Sequence, residues 1–226
     1  RAPQKNDKDG TEKEGQGKNK TQLYGIALKG GEALPLAAVS QPVSSLWALD
    51  DDRLLLKTVY DPEEPRFEDA DYMIFKQVPF CSNRKGFTGQ KRTTLSLLSV
   101  SQEDLRCLSP EGMDVGQVRL SRDRKRVLAT GRTYGDVMPE TSSVWEFDLE
   151  SGAAAELLPQ GQAAYTCADA FGSGILMTAT DMKRHGHNEN ARFFLFKDGE
   201  LNCLTPELDR GLRNSVICDC RYGLSD

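Results

Sequence analysis

The sequence predicts an all-β fold, a partial β-propeller made of four-stranded antiparallel blades. Three observations lead there. First, one strand-and-turn unit recurs: residues 23–28 precede Gly30-Gly31-Glu32, residues 95–100 precede Ser101-Gln102-Glu103, residues 144–149 precede Glu150-Ser151-Gly152, and residues 193–196 precede Asp198-Gly199-Glu200. Second, the equivalent positions Leu95, Val144 and Phe193 fall 49 residues apart, while Leu23 to Leu95 spans 72, as if one copy carried an insertion. A period of about 40–50 residues built from short strands is a blade signature, because one such unit cannot bury its apolar faces alone. Third, no segment carries an apolar stripe at the 3.6-residue period of a helix.

Along the chain, residues 1–21 contain Lys, Glu, Asp, Gly, Asn and Gln with almost nothing apolar, so a charged loop or linker is expected there. Residues 22–226 are expected to form the partial propeller. It opens with a C–D half blade over 22–37, with strands at 22–28 and 32–36. The first full blade, 43–108, has strands A 43–49, B 53–60, C 93–100 and D 104–108. The second, 114–158, has A 114–120, B 125–131, C 142–149 and D 153–158. The third, 163–205, has A 163–170, B 174–179, C 192–196 and D 200–205. An opening strand at 214–221 follows. Short polar turns such as Ser121-Arg122-Asp123-Arg124 suit the A–B and C–D hairpins.

The B–C connections are the long ones: 61–92, 132–141 and 181–191, with 1–21 in the same slot of the opening half blade. Alternate connections of an up-and-down sheet emerge at opposite ends. All the long segments are therefore expected at one end, the arrangement by which a scaffold displays a working surface.

Composition removes several function classes. The formal charge of −5 lacks the basic footprint of a nucleic-acid binder. Apolar runs are too short to cross a bilayer, and residues 1–21 lack the apolar core of a signal peptide. The chain also begins without Met, as the middle of a longer protein would. Cys81, Cys107, Cys167, Cys203, Cys218 and Cys220 form no CxxC pair or zinc-finger spacing. They read as reduced packing residues, with Cys218 and Cys220 on one face of a strand. A cytoplasmic location without a cofactor is expected.

The stretch Val78-Pro79-Phe80-Cys81-Ser82-Asn83-Arg84-Lys85-Gly86-Phe87-Thr88, continued by Lys91-Arg92-Thr93-Thr94-Leu95, resembles a blade insertion in the N-terminal propeller of prolyl oligopeptidase family serine peptidases. The likeness is to the branch of acylaminoacyl and dipeptidyl peptidases. His185-Gly186-His187-Asn188 before a strand and Leu204-Thr205-Pro206-Glu207-Leu208-Asp209-Arg210 are similar to that branch as well. The family's Ser-Pro-Asp-Gly type of A–B turn is eroded to Asp50-Asp51-Asp52, Ser121-Arg122-Asp123 and Gly172-Ser173-Gly174. The resemblance implies about half of a seven-bladed ring. It also implies a non-catalytic domain that gates access for short or N-acylated peptides, partnered by a C-terminal α/β-hydrolase domain carrying a Ser-Asp-His triad.

The residues themselves supply no nucleophile. The sequence contains no Gly-x-Ser-x-Gly elbow, and Gly172-Ser173-Gly174 reads as a β-turn. His185 and His187 share a strand face if that segment is extended, but two ligands make a poor zinc site, so no metal is expected. Glu63 and Glu64 lie in the long insertion. The resemblance offers them a peptide's amino group as partner, and solvation explains them equally well. Arg84, Lys85 and Arg92 surround Phe87; a structural insertion with Phe87 tucked beneath it is expected, the rival reading being contact with the hydrolase domain or an acidic peptide end. Trp47, Trp145, Phe147, Phe194 and Phe196 are expected in the core. Self-association through open strand edges is a further expectation. The alternative function is a stand-alone propeller that binds protein partners, and a more distant one a propeller enzyme with an axial metal. A Gly-x-Ser-x-Gly elbow encoded downstream of Asp226 would separate the first reading from both.

Overall fold

The computed structural model describes residues 21–60, 75–82, 86–88 and 90–212. The expected strand at 214–221 lies outside them, as do Glu63, Glu64, Arg84, Lys85, Cys218 and Cys220. The described chain is antiparallel β-sheet with one short 3-10 turn and divides into two compact units, the first ending at Pro42 and the second starting at Val43.

The first unit is a hairpin of β1 (Thr21–Gly25) and β2 (Leu34–Val39). Its first strand stops three residues earlier than expected. The Gly30 N–H bonds to the Ala27 carbonyl, and Gly30 and Gly31 take positive φ, so the chain turns before Leu28 can pair.

In the second unit, β3 (Val43–Ala48), β4 (Arg53–Tyr60), β7 (Arg92–Ser99) and β8 (Asp104–Cys107) form one four-stranded sheet in that order. Two tiny strands, β5 (Cys81–Ser82) and β6 (Gly86–Phe87), pair within its B–C insertion. Next come β9 (Met113–Leu120), β10 (Arg126–Thr133), β11 (Ser142–Asp148), β12 (Ala154–Phe171), β13 (Gly174–Thr180), β14 (Arg192–Lys197) and β15 (Glu200–Cys203), hydrogen-bonded in sequence order. Strand β12 belongs to two blades: residues 154–158 pair with β11, and residues 164–171 pair with β13. The expected break at Pro159-Gln160-Gly161 is thus a change of partner along extended chain. Gly161 adopts φ +105° there, and the Ser142 hydroxyl holds the crossing by accepting from the Tyr165 N–H at 2.7 Å and donating to its carbonyl at 2.8 Å.

The apolar cores lie between sheets. Leu49, Leu55, Leu95 and Leu108 of the first sheet are buried against Met113, Val118, Val127 and Phe147 of the second, with Trp47 and Trp145 partly buried at the margin. Val144, Leu158, Tyr165, Met177 and Ala179 form the next layer, flanked by Phe194 and Phe196. The period-two alternation of a strand explains how β10 serves both. Val127 and Ala129 are buried with the first cluster, while Leu128 and Thr130 are buried on the other face. Burial on both faces of a central strand is what radial stacking of blades produces.

One end of the sheets is closed by aspartate-held turns. Asp50 accepts from the Asp52 and Arg53 N–H groups and from Arg53 Nε at 2.7 Å. Asp52 joins neighbouring turns through Ser99 Oγ and the Ser101 N–H. Asp148 holds Glu150 and Ser151, and Asp123 holds Ser121 and Lys125. The Arg53 side chain, then its N–H, holds the Asp50 carboxyl down at about 2. The others are lowered by their own donors: the Ser101 N–H for Asp52, the Ser121 hydroxyl for Asp123 and the Ser151 N–H for Asp148. These groups bind protons more weakly when folded, so their stabilisation is complete above the unfolded value near 3.8 and is lost as pH falls toward 2. Urea unfolding midpoints should fall between pH 4 and pH 2, and Asp50→Asn should flatten that slope.

Candidate functional site

The opposite end of the second unit carries the long B–C connections, and they touch one another. The Val78 N–H bonds to the Asp136 carbonyl at 2.7 Å and the Met138 N–H to the Val78 carbonyl at 2.8 Å, a parallel bridge between the first and second B–C loops. Arg92, the first residue of β7, ties this junction from below. Its Nη1 donates to Gln77 Oε1, Gln90 O and Lys91 O, and its Nη2 to Tyr134 O and Gly135 O. The guanidinium also lies over the Tyr134 ring, 3.9 Å from its centroid, a cation–π contact. Gln77 Nε2 completes the knot by donating to Gly135 O at 3.0 Å. Burial, reinforced by Asp114, pushes the Tyr134 phenol up, and Arg92 and Arg132 oppose that shift. Arg92 is itself buried, so here it holds loops together.

The first B–C loop also carries an aromatic cluster. Phe75 meets Phe80 at 5.1 Å and Phe87 at 4.9 Å between ring centroids. Phe87 is 59% exposed where the sequence reading tucked it under the insertion, because the rings it packs on are themselves at the surface: Phe75 is 36% and Phe80 49% exposed. Val78 and Val137 extend the apolar surface. Three neighbouring exposed rings are unusual on a surface that meets only water.

The third B–C loop is braced by Glu189. Its buried carboxylate accepts from the Arg184 and His185 N–H groups and pairs with Arg192 Nη2 at 2.9 Å. His185 and His187 lie in and beside the 3-10 turn Gly186–Asn188, both exposed. His187 Nε2 reaches Glu140 Oε1 of the second loop at 2.5 Å. Among the described residues, no three His, Cys, Asp or Glu side chains converge as metal ligands. Cys81 and Cys107 are exposed and unpaired, unlike the packing role expected of them: Cys81 sits in the surface insertion and Cys107 ends the edge strand β8. No helix of the described residues is long and apolar enough to cross a membrane.

Of the candidate residues, Arg92 stands at the junction of the first two loops, Phe87 in the aromatic cluster of the first, and His185 and His187 in the third, where His187 meets the second. Gln77, Tyr134 and Glu140 were missed by sequence reasoning, since their roles depend on contacts between loops far apart in the chain, whereas Glu189 works within its own loop, on Arg184, His185 and Arg192. Phe80 sat inside the quoted motif and was the signal that could have pointed to the cluster. At the other end, between the β9–β11 and β12–β14 parts of the long sheet, a cleft of about 410 Å³ opens.

Comparison with known proteins supports the fold. No family model matches this sequence, and no curated protein is significantly similar to it. Among solved structures, the acylaminoacyl peptidase of Pyrococcus horikoshii superposes with a TM-score of 0.58 at 17% identity, covering 84% of this chain and 29% of that one. An acylaminoacyl peptidase in complex with Z-Gly-Gly-Phe-chloromethyl ketone gives 0.58 at 17% identity over 86% of this chain and 30% of that one. The β-propeller domain of the Trilobed protease from Pyrococcus furiosus scores lower, 0.46 at 14% identity, over 84% of this chain and 51% of that one. The chain therefore spans less than a third of the acylaminoacyl peptidase chains whose fold it shares. The fold is that of a propeller.

Proposed function

We propose that this chain is the propeller part, about half of a seven-bladed ring, of a prolyl oligopeptidase family serine peptidase acting on short or N-acylated peptides. Its role in that reading is access and orientation, and hydrolysis belongs to an α/β-hydrolase domain outside this chain. The observation that carries the proposal is the exposed Phe75–Phe80–Phe87 cluster on the loop-bearing end. It occurs within the very insertion whose sequence resembles that family. Fold likeness to acylaminoacyl peptidase supports the same reading. The cluster is the docking face for the hydrolase domain, and Glu63, Glu64, Arg84, Lys85, His185 and His187, all within the B–C connections of the sequence, are the candidate peptide contacts.

Two experiments test this. Peptidase assays on the chain alone should give no turnover above background, and a serine-reactive fluorophosphonate should leave it unlabelled; labelling would place the nucleophile here. The hydrolase region of the same gene, expressed separately, should bind the chain, and a Phe75→Ser/Phe87→Ser variant should weaken that binding at least roughly tenfold, as for paired aromatic anchors. Binding indifferent to both rings would remove the cluster from the interface.

A further inference from the structure

The cleft at the short-turn end has unlike walls. Arg119, Leu128 and Glu146 are direct cross-strand partners on β9, β10 and β11, and Arg126 shares the Leu128 face two residues earlier. Opposite them, Ala170, Ile175 and Phe196 make a matching row across β12, β13 and β14. Deeper between the same sheets, apolar side chains meet each other and are buried, as with Val144, Leu158 and Met177. In the cleft, a row bearing both signs of charge faces an apolar row. Closing the gap would press Arg126 and Glu146 toward Ile175 and Phe196 at a cost in hydration, and Asp169, Ser173, Lys197 and Asp198 also line the cleft. Arg126 and Glu146 lie 3.3 Å from each other, both partly exposed, and Arg119 reaches across to Asp169 only at 3.8 Å. Their hydrogen-bonding capacity is far from used up.

We propose that this cleft binds a small amphipathic zwitterion, specifically a dipeptide with free termini and apolar side chains. Glu146 takes the ammonium group, the Arg126 fork takes the carboxylate, and the side chains lie on Ile175 and Phe196. Guanidinium suits a carboxylate because its planar donors match the two oxygens. The volume of about 410 Å³ falls in the range of about 300–1,000 Å³ usual for small-ligand sites. The site stands at the end opposite the aromatic cluster and does not depend on the peptidase reading.

Isothermal titration of the chain with L-leucyl-L-phenylalanine tests it, alongside the N-acetylated dipeptide, its C-terminal amide and glycylglycine. The free dipeptide should bind saturably, and capping either terminus should weaken binding roughly tenfold, the loss of one charged hydrogen bond. Glycylglycine should bind more weakly still. Glu146→Gln should erase the preference for a free amino group, and Arg126→Gln the preference for a free carboxylate. Thermal melting like that of the unaltered chain confirms that each variant is folded. Equal affinity for capped and free dipeptides, or no saturable binding at millimolar concentration by a chain with its normal melting transition, overturns the proposal.

Discussion

Phe147→Ala should destabilise the second unit by about 3–5 kcal/mol, as large-to-small changes of buried aromatics do. Phe147 is fully buried on β11 and belongs to the layer that joins the first sheet to the second, with Leu55, Leu95 and Val127. Truncation removes the transfer energy of the ring and leaves a cavity, because two sheets held by many other contacts cannot close over it. Urea unfolding followed by tryptophan fluorescence measures the loss, and Trp145, stacked 6.3 Å from Phe147, reports on that layer directly. Leu46→Ala, on an exposed position of β3, should change stability by less than about 0.5 kcal/mol. Equal effects at the two positions would mean that the sheets are not stacked through this layer.

Arg92→Leu should have the second largest effect, and a different character. The substitution keeps an apolar stem but removes the hydrogen bonds that Arg92 donates to Gln77, Gln90, Lys91, Tyr134 and Gly135, of which Gly135 O keeps its bond from Gln77 Nε2. Each buried acceptor left without a partner costs about 1–3 kcal/mol, and water will reach some of them, so a net loss of about 2–4 kcal/mol is expected. Hydrogen exchange should show it locally. The Val78 and Met138 amides, which bridge the two loops, should lose protection, while the amides of β13 and β14 should keep theirs. Loss spread evenly over the unit would mean that Arg92 supports the core and not the loop junction.

Much of the fold could be read from period and turn chemistry. The strand over Arg53–Tyr60 has the bounds expected from its flanking Asp-Asp-Asp turn and its run of Leu, Thr and Val, since local signals decide it. Both halves of β12 were legible as separate strands, 153–158 and 163–170, but their continuity was not, because Pro159 and Gly161 are loop residues by composition and the strand passes there from β11 to β13 without a break. The loop-bearing end was legible as a place and illegible as a site. Long B–C connections predicted where the surface lies, but the pairing of Val78 with Val137 and of His187 with Glu140 joins residues whose meeting no local pattern encodes. Phe87 failed for a related reason: a lone Phe in a basic loop is expected inward, and it is the company of Phe75 and Phe80 that lets it stand outward.

In the proposed reading, a partner domain covers the loop-bearing end and leaves the short-turn end open. Hydroxyl-radical footprinting of the complete gene product against this chain alone tests it most directly. Phe75, Phe80 and Phe87 should be oxidised readily in the isolated chain and protected several-fold in the complete protein, while Phe171, exposed beside the short turn at the other end, should react equally in both. Protection of Phe171 with the three loop rings still reactive would mean that the partner domain, if any, sits on the short-turn end.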